Sequence, residues 1–293
     1  MESDKVKLKE IKPVISGYIR EAQVMLDRSA IPDDKAVHDI RVLMKKSRAV
    51  MRLIRIQVDQ ETFQREYGSF REVGRIMRSW RETSVHRKTL RELRKDNPGV
   101  FVKLQNNEQI EALMKKDVAA VLPSENIIRD IQKINEILRK SEYRIRFYNM
   151  NGLSTLNLLT GLEETYNGVV NNYLTCRNSP KSTSLHEFRK RGKDFLYQLY
   201  FFRPLNPSAV KSLERKLDNL TQNLGKYNDL VQLIKTLDYK YGDNGNQSAM
   251  DQLAVIIRNR QDRYLMKVWP AAYKIFCPGK ELTNILHLRI PEI

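Results

Sequence analysis

Two stretches of this chain, about half its length apart, spell the same basic, amphipathic helix. The first reads Val37-His38-Asp39-Ile40-Arg41-Val42-Leu43-Met44-Lys45 and the second Leu185-His186-Glu187-Phe188-Arg189-Lys190-Arg191-Gly192-Lys193. In both, a histidine stands between an aliphatic residue and an acid, with an arginine at i+3 and a lysine at i+7. That spacing puts the three polar side chains on one face of a helix and leaves the opposite face to the core. A duplicated element of this kind constrains the chain to two related halves. Because the charges are duplicated too, both halves are expected to face one shared, strongly acidic ligand, rather than to support metal or covalent chemistry.

Helical periodicity dominates the rest of the chain. Hydrophobic residues make up 41% of the sequence and recur periodically, which excludes a disordered chain. Glycine and proline number only 12 and 10, too few for a turn-rich β fold. The periodicity predicts helices over Val6–Arg28, from Asp33 or Asp34 to Gln57, over Gln60–Lys95, Glu108–Val121, Ser124–Tyr148 and Asn157–Thr175. Further ones are predicted over Ser184–Phe202, Pro207–Asp238 and Ser248–Phe276, with a loop at Gly242–Asn246. The polar run Asn178–Ser184 is the best boundary between halves, and Ser184 and Glu187 have the spacing of a capping box. The expected organisation is one domain over 1–293: a first helical half over 5–177, a second over 184–276, and a tail over 277–293 without clear periodicity.

The charges are patterned. On a helical wheel with His38 at the origin, Arg41, Lys45, Arg48 and Arg52 fall within an arc of about 80°. Ile40, Leu43, Val50, Met51 and Ile54 lie opposite, and no acid interrupts the cationic stripe. The second copy begins the same way with His186, Arg189 and Lys193 but continues as Leu196, Tyr197 and Tyr200. Arg71, Arg75 and Arg78 make a third stripe with Arg81 at its edge, and Lys211 with Arg215 a weaker pair tempered by Asp218. The chain carries 52 Lys+Arg against 35 Asp+Glu, a formal charge of +17. Like charges along a face repel, and a ligand that neutralises them explains why several such faces are tolerated. Arginine forks match phosphate oxygens bidentately and lysine adds point charge.

At these residues the sequence resembles the CHAD family, the conserved histidine α-helical domain. The resemblance rests on His38/Arg41/Lys45 and His186/Arg189/Lys193. It extends to two follow-up motifs, Met77-Arg78-Ser79-Trp80-Arg81-Glu82-Thr83-Ser84 and Leu224-Gly225-Lys226-Tyr227-Asn228-Asp229. It implies an all-α fold of two pseudo-symmetric helical bundles enclosing a basic cavity or channel, and non-catalytic binding of inorganic polyphosphate. Association with polyphosphate granules follows from the same resemblance. The family's second basic residue is kept as Lys46 in the first copy but replaced by Asp194 in the second; the later arginine is kept as Arg48 and lost at Leu196. The first half is therefore expected to bind phosphate more strongly than the second.

Two other readings stand beside this one. The same stripes fit a nucleic-acid backbone, with Tyr197, Tyr200 and Phe201 available for base stacking, although no helix-turn-helix, zinc or RNP motif is visible. The general form of that reading is a polyanion binder. The other is an accessory domain for phosphate transfer or hydrolysis, but the sequence has no Walker A, HExxH, GxSxG or GxGxxG motif, and no enzyme, cofactor or metal site is expected. Cys176 and Cys277 form no CxxC and no metal-spaced set, so two buried free thiols in a reducing compartment are expected. The N-terminal Met1-Glu2-Ser3-Asp4-Lys5 has acids where a signal peptide is basic. With no apolar stretch long enough to span a bilayer, a cytoplasmic protein without membrane insertion is expected.

Overall fold

The computed structural model describes residues 6–29, 31–115, 125–237 and 247–287; the side chains of Ser79, Arg81, Glu82, Thr83 and Gln247 lie outside that description. Every regular element among the described residues is helical. Helices α1 (Ile11–Asp27), α2 (Asp34–Leu53), α3 (Gln60–Ile76) and α4 (Ser79–Asp96) are followed by the short α5 (Pro98–Lys103) and α6 (Glu108–Met114). Then come α7 (Glu125–Phe147), α8 (Thr155–Asn178), α9 (Ser182–Gln198), α10 (Pro207–Thr236), α11 (Gln247–Phe276) and the short α12 (Leu282–Ile285). No helix among the described residues is long and apolar enough to cross a membrane.

Several helix starts are fixed by side chains that satisfy otherwise free backbone N–H groups. Asp33 accepts from the Ala36 N–H at 2.7 Å, Asp59 from Thr62 at 2.7 Å, and Ser154 from Asn157 at 3.2 Å. The expected cap at Ser184 is not one. Helix α9 begins two residues earlier, after an extended Lys181, and the Ser184 hydroxyl reaches back to the Ser179 carbonyl at 3.5 Å. Lys181 lends its carbonyl to the Leu185 N–H, so the first turn is already closed before Ser184 could cap it.

The single helix expected over Gln60–Lys95 is two. Met77 leaves helical geometry with ψ of 4°, and the chain turns there without glycine or proline. The physical reason is that the two apolar stripes go to different cores. Phe70, Val73 and Ile76 of α3 join the main core, whereas Leu90 and Leu93 of α4 join a smaller one. The helix expected from Glu108 is described only to Met114, after which Lys115 is extended; residues 116–124, with the expected helix start at Ser124, lie outside the described residues, as does the loop at 242–246.

The main core draws on α1, α2, α3 and α7 together with α8, α9, α10 and α11, so apolar residues from both sequence halves share it. The smaller core joins α4–α6 to the end of α10 and the start of α11 through Phe101, Leu104, Ile110, Leu233 and Leu253. Burying a side chain such as Leu158 or Phe195 contributes on the order of 2 kcal/mol, and both are fully buried. Close approach of α8 to the end of α2 depends on Gly161. A β-carbon there would stand 2.4 Å from the Leu53 carbonyl oxygen, so only glycine permits this packing. Beyond Pro278 the chain forms α12 and buries Leu286, and the Tyr166 hydroxyl donates to the carbonyls of Ile275 at 3.2 Å and Lys280 at 2.9 Å. Cys176 is buried and free, with burial pushing its thiol up to about 11; Cys277 is free and partly buried.

Candidate anion site between two basic helices

Helices α2 and α9, the two basic copies, cross each other. Their apolar faces fix the rotation. Val37, Ile40, Leu43 and Met44 on one, and Leu185, Phe188 and Phe195 on the other, are buried. Two polar contacts then lock the crossing. The Gln198 amide donates to the Ala49 carbonyl at 2.9 Å, and the Arg52 guanidinium pairs with Asp194 and donates to the Tyr67 hydroxyl.

This packing brings five of the expected cations together. Burial and the charges of Arg189, Arg41, Arg48 and Lys193, in that order, pull the Lys45 ammonium down to about 7. Both causes act against the charged form. The Arg48 guanidinium is also pushed down, chiefly by burial, with Arg52 and Arg71 adding to the effect and Tyr67 and Asp194 opposing it. It lies 5.9 Å from the centre of the Tyr67 ring, with Arg52 at 5.0 Å on the same ring. The Nε atoms of Arg48 and Arg189 are buried and have no hydrogen-bond partner. A buried donor left unmade costs about 1–3 kcal/mol, so the site holds donors that an anion would satisfy.

Each arginine of the duplicated motif meets a glycine. Arg41 donates from Nη1 to the Gly74 carbonyl of α3. Arg189 lies against Gly225 of α10, whose absent β-carbon would stand 3.1 Å from Nε. The two contacts differ in kind: Arg189 lies over the open face of Gly225, whereas Arg41 reaches the backbone carbonyl of Gly74, one helical turn before Met77. The side chains of Arg81 and Glu82, in the motif expected at Met77–Ser84, lie outside the described residues.

The remaining expected residues are placed in several ways. Lys193 donates to Asp218 at 3.0 Å and sits 5.8 Å from the Tyr197 ring centre. Tyr197 is close enough for Arg189, Asp218 and Asp194 to act on its phenol, which burial pushes up to about 12, so it is a neutral hydroxyl beside the cations. The two histidines differ. His186 is partly buried, its Nδ1 lies 3.1 Å from the Asn228 Oδ1, and burial lowers its pKa, whereas His38 is exposed. Lys46 points to the Tyr18 ring at 5.4 Å. Arg75 is turned outward and held by Glu72 at 2.7 and 2.8 Å, and Glu72 also accepts from Lys133 at 3.0 Å. Arg71, Arg78, Lys211 and Arg215 are exposed on α3 and α10 or at the α3–α4 turn, and Arg71 acts on the central cluster through Arg48. Tyr67, Gly74, Asn228 and Gln198 were not singled out as site residues from the sequence. Among the described residues, no group of three or more His, Cys, Asp or Glu is arranged to hold a metal ion.

The family model for the CHAD domain matches residues 17–238. A search of curated proteins finds no match. Among solved structures, the chain is similar to the crystal structure of the CHAD domain from the plant Ricinus communis, with a TM-score of 0.53 at 15% sequence identity. That similarity covers 99% of this chain and 94% of the other. At this identity the likeness is one of fold.

Proposed function

The chain belongs to the CHAD domain family, and from that premise we propose that it binds inorganic polyphosphate at the crossing of α2 and α9, as a recognition module without turnover. The observation that carries this reading is the position of Lys45. It stands among Arg41, Arg48, Arg189 and Lys193, drawn from both basic helices, and no carboxylate among the described residues forms an ion pair with it. Like charges gathered in a partly desolvated site are unfavourable unless an anion joins them. The unpartnered Nε atoms of Arg48 and Arg189 offer directed donors to phosphate oxygens.

A linear polyphosphate fits better than a compact anion. The cations come from two helices, and Arg71 extends the positive surface beyond the centre. In this reading α2 and α9 are corresponding elements of an internal duplication, and their crossing forms the floor of a basic channel shared by two halves. Binding of this kind would bring the protein to polyphosphate granules in the cytoplasm.

The test is a competition titration at near-physiological salt. Labelled long-chain polyphosphate is bound to the protein and challenged with single-stranded RNA, duplex DNA and ATP. Displacement by unlabelled polyphosphate alone supports the reading. RNA or DNA competing equally per phosphate would overturn it in favour of a general polyanion or nucleic-acid binder.

A further inference from the structure

We propose that a phosphate chain entering the α2–α9 crossing draws a proton in with it, accepted at the Nζ of Lys45, so that affinity weakens as pH rises above neutrality. This inference rests on the polyphosphate reading and adds a proton to its stoichiometry.

The geometry supplies the reason. Lys45 is hemmed in by cations on both helices: Arg41 one turn before it and Arg48 one turn after it on α2, with Arg189 and Lys193 across on α9. In the free protein each of these, with burial, favours the neutral amine. The acids nearby are already engaged elsewhere. Asp194 of α9 pairs with Arg52, and Asp218 of α10 pairs with Lys193. Helix α3 contributes Arg71, which acts on Arg48, and the Gly74 carbonyl, which is taken by Arg41. Tyr18 of α1 acts on the Tyr197 phenol beside the cluster. On α8, Glu163 and Glu164 are exposed. The side chains of Arg81 and Glu82 on α4 lie outside the described residues. Nothing described from these elements therefore supplies Lys45 with a free counter-charge.

A bound polyanion reverses the balance. Phosphate oxygens placed among Arg41, Arg48 and Arg189 put negative charge next to the amine, and the ammonium becomes the favoured form. The lone pair on Nζ then accepts a proton from solvent or buffer, and no other bond is made or broken. By linkage, one proton taken up on binding lowers affinity by up to about tenfold per pH unit once the free amine is neutral.

The measurement is calorimetric titration of the protein with long-chain polyphosphate at pH 8, in buffers of different ionisation enthalpy, to count protons taken up. Long chains keep titrating end groups a small fraction of the ligand. The wild type is expected to take up most of one proton, and Lys45→Arg, whose charge does not titrate in this range, to lose that uptake. Binding by the wild type without proton uptake overturns this inference and leaves polyphosphate recognition standing, a result that needs no variant. Equal uptake by folded Lys45→Arg assigns the proton elsewhere and also overturns it. Failure of the wild type to bind polyphosphate at all overturns the functional reading and this inference with it.

Discussion

The guanidinium of Arg189 lies over Gly225, with Nε and Nη2 placed 3.1 and 3.2 Å from where a β-carbon would stand. A helix normally disfavours glycine by about 1 kcal/mol relative to alanine, so this residue costs α10 stability while letting Arg189 lie close. Gly225→Ala should therefore separate two properties. The variant is expected to melt at the same temperature as wild type or up to roughly 3 °C higher. Its polyphosphate affinity should fall about three- to tenfold, because Arg189 is pushed off its seat. Thermal melts paired with binding titrations check this, and unaltered affinity would show that the seat does not matter.

The cluster around Lys45 predicts a change in salt dependence. Counterion release makes the logarithm of affinity fall with the logarithm of salt concentration, with a slope near the number of phosphates neutralised. Replacing Arg41 and Lys45 together by alanine should weaken binding at least tenfold and reduce that slope by about one to two. A folded double variant with wild-type affinity and slope would remove both residues from the site.

Asp194 stands where the family pattern places a second basic residue, and it forms an ion pair with Arg52. Burial raises its pKa, while Arg52 is the largest influence in the opposite direction. Asp194→Asn should free Arg52 to join Arg48 along α2. The expected result is a several-fold gain in polyphosphate affinity and a salt slope steeper by about one. It should be accompanied by a loss of roughly 1–2 kcal/mol of stability from the broken, partly buried pair. Weaker binding by the folded variant would mean that Asp194 orders the site instead of limiting it.

The parts of this protein that were legible in its sequence are those written in local pattern. Helical periodicity gave the all-α class, and the duplicated His/Arg/Lys spacing picked out α2 and α9 and placed Arg41, Lys45, Arg189 and Lys193 on the faces that meet. The break at Met77 was not legible, because α3 and α4 continue one apolar rhythm and differ only in which core receives it. Arg75 shows a second limit. Its spacing from Arg71 and Arg78 reads as one stripe, but Glu72 lies one turn away from it and Lys133 comes from a distant helix, so the arginine ends in a surface ion-pair network. Glu72 is accordingly held down to about 2. Tyr67 and Gly74 reach the site only through the packing of α3 on α2, which no spacing within one helix encodes.

The same charge crowding should be visible in the stability of the free protein. A lysine in an unfolded chain titrates near about 10.4, whereas Lys45 in the folded protein is pulled to about 7. Between those values the unfolded chain binds more protons than the native one, so stability rises with pH across that window. His186, whose pKa is also lowered in the fold, adds a rise of the same sign at more acidic pH, below its ordinary value of about 6.5. Above about pH 8.5 the buried Cys176 thiol and the Tyr166 and Tyr197 phenols oppose it, because their pKa values are raised and the native state then holds the extra protons. Between about pH 7 and 8.5 the melting temperature of the ligand-free protein should climb by roughly 2–5 °C. Lys45→Met, with a side chain of similar length and no charge, should melt higher at pH 7 and lose the climb. Saturating polyphosphate should flatten or reverse the wild-type profile, since the bound anion makes the protonated lysine the stable form. If ligand-free wild type and Lys45→Met change in parallel across this range, Lys45 is not the group that titrates, and the cationic crossing is relieved in some way other than loss of its proton.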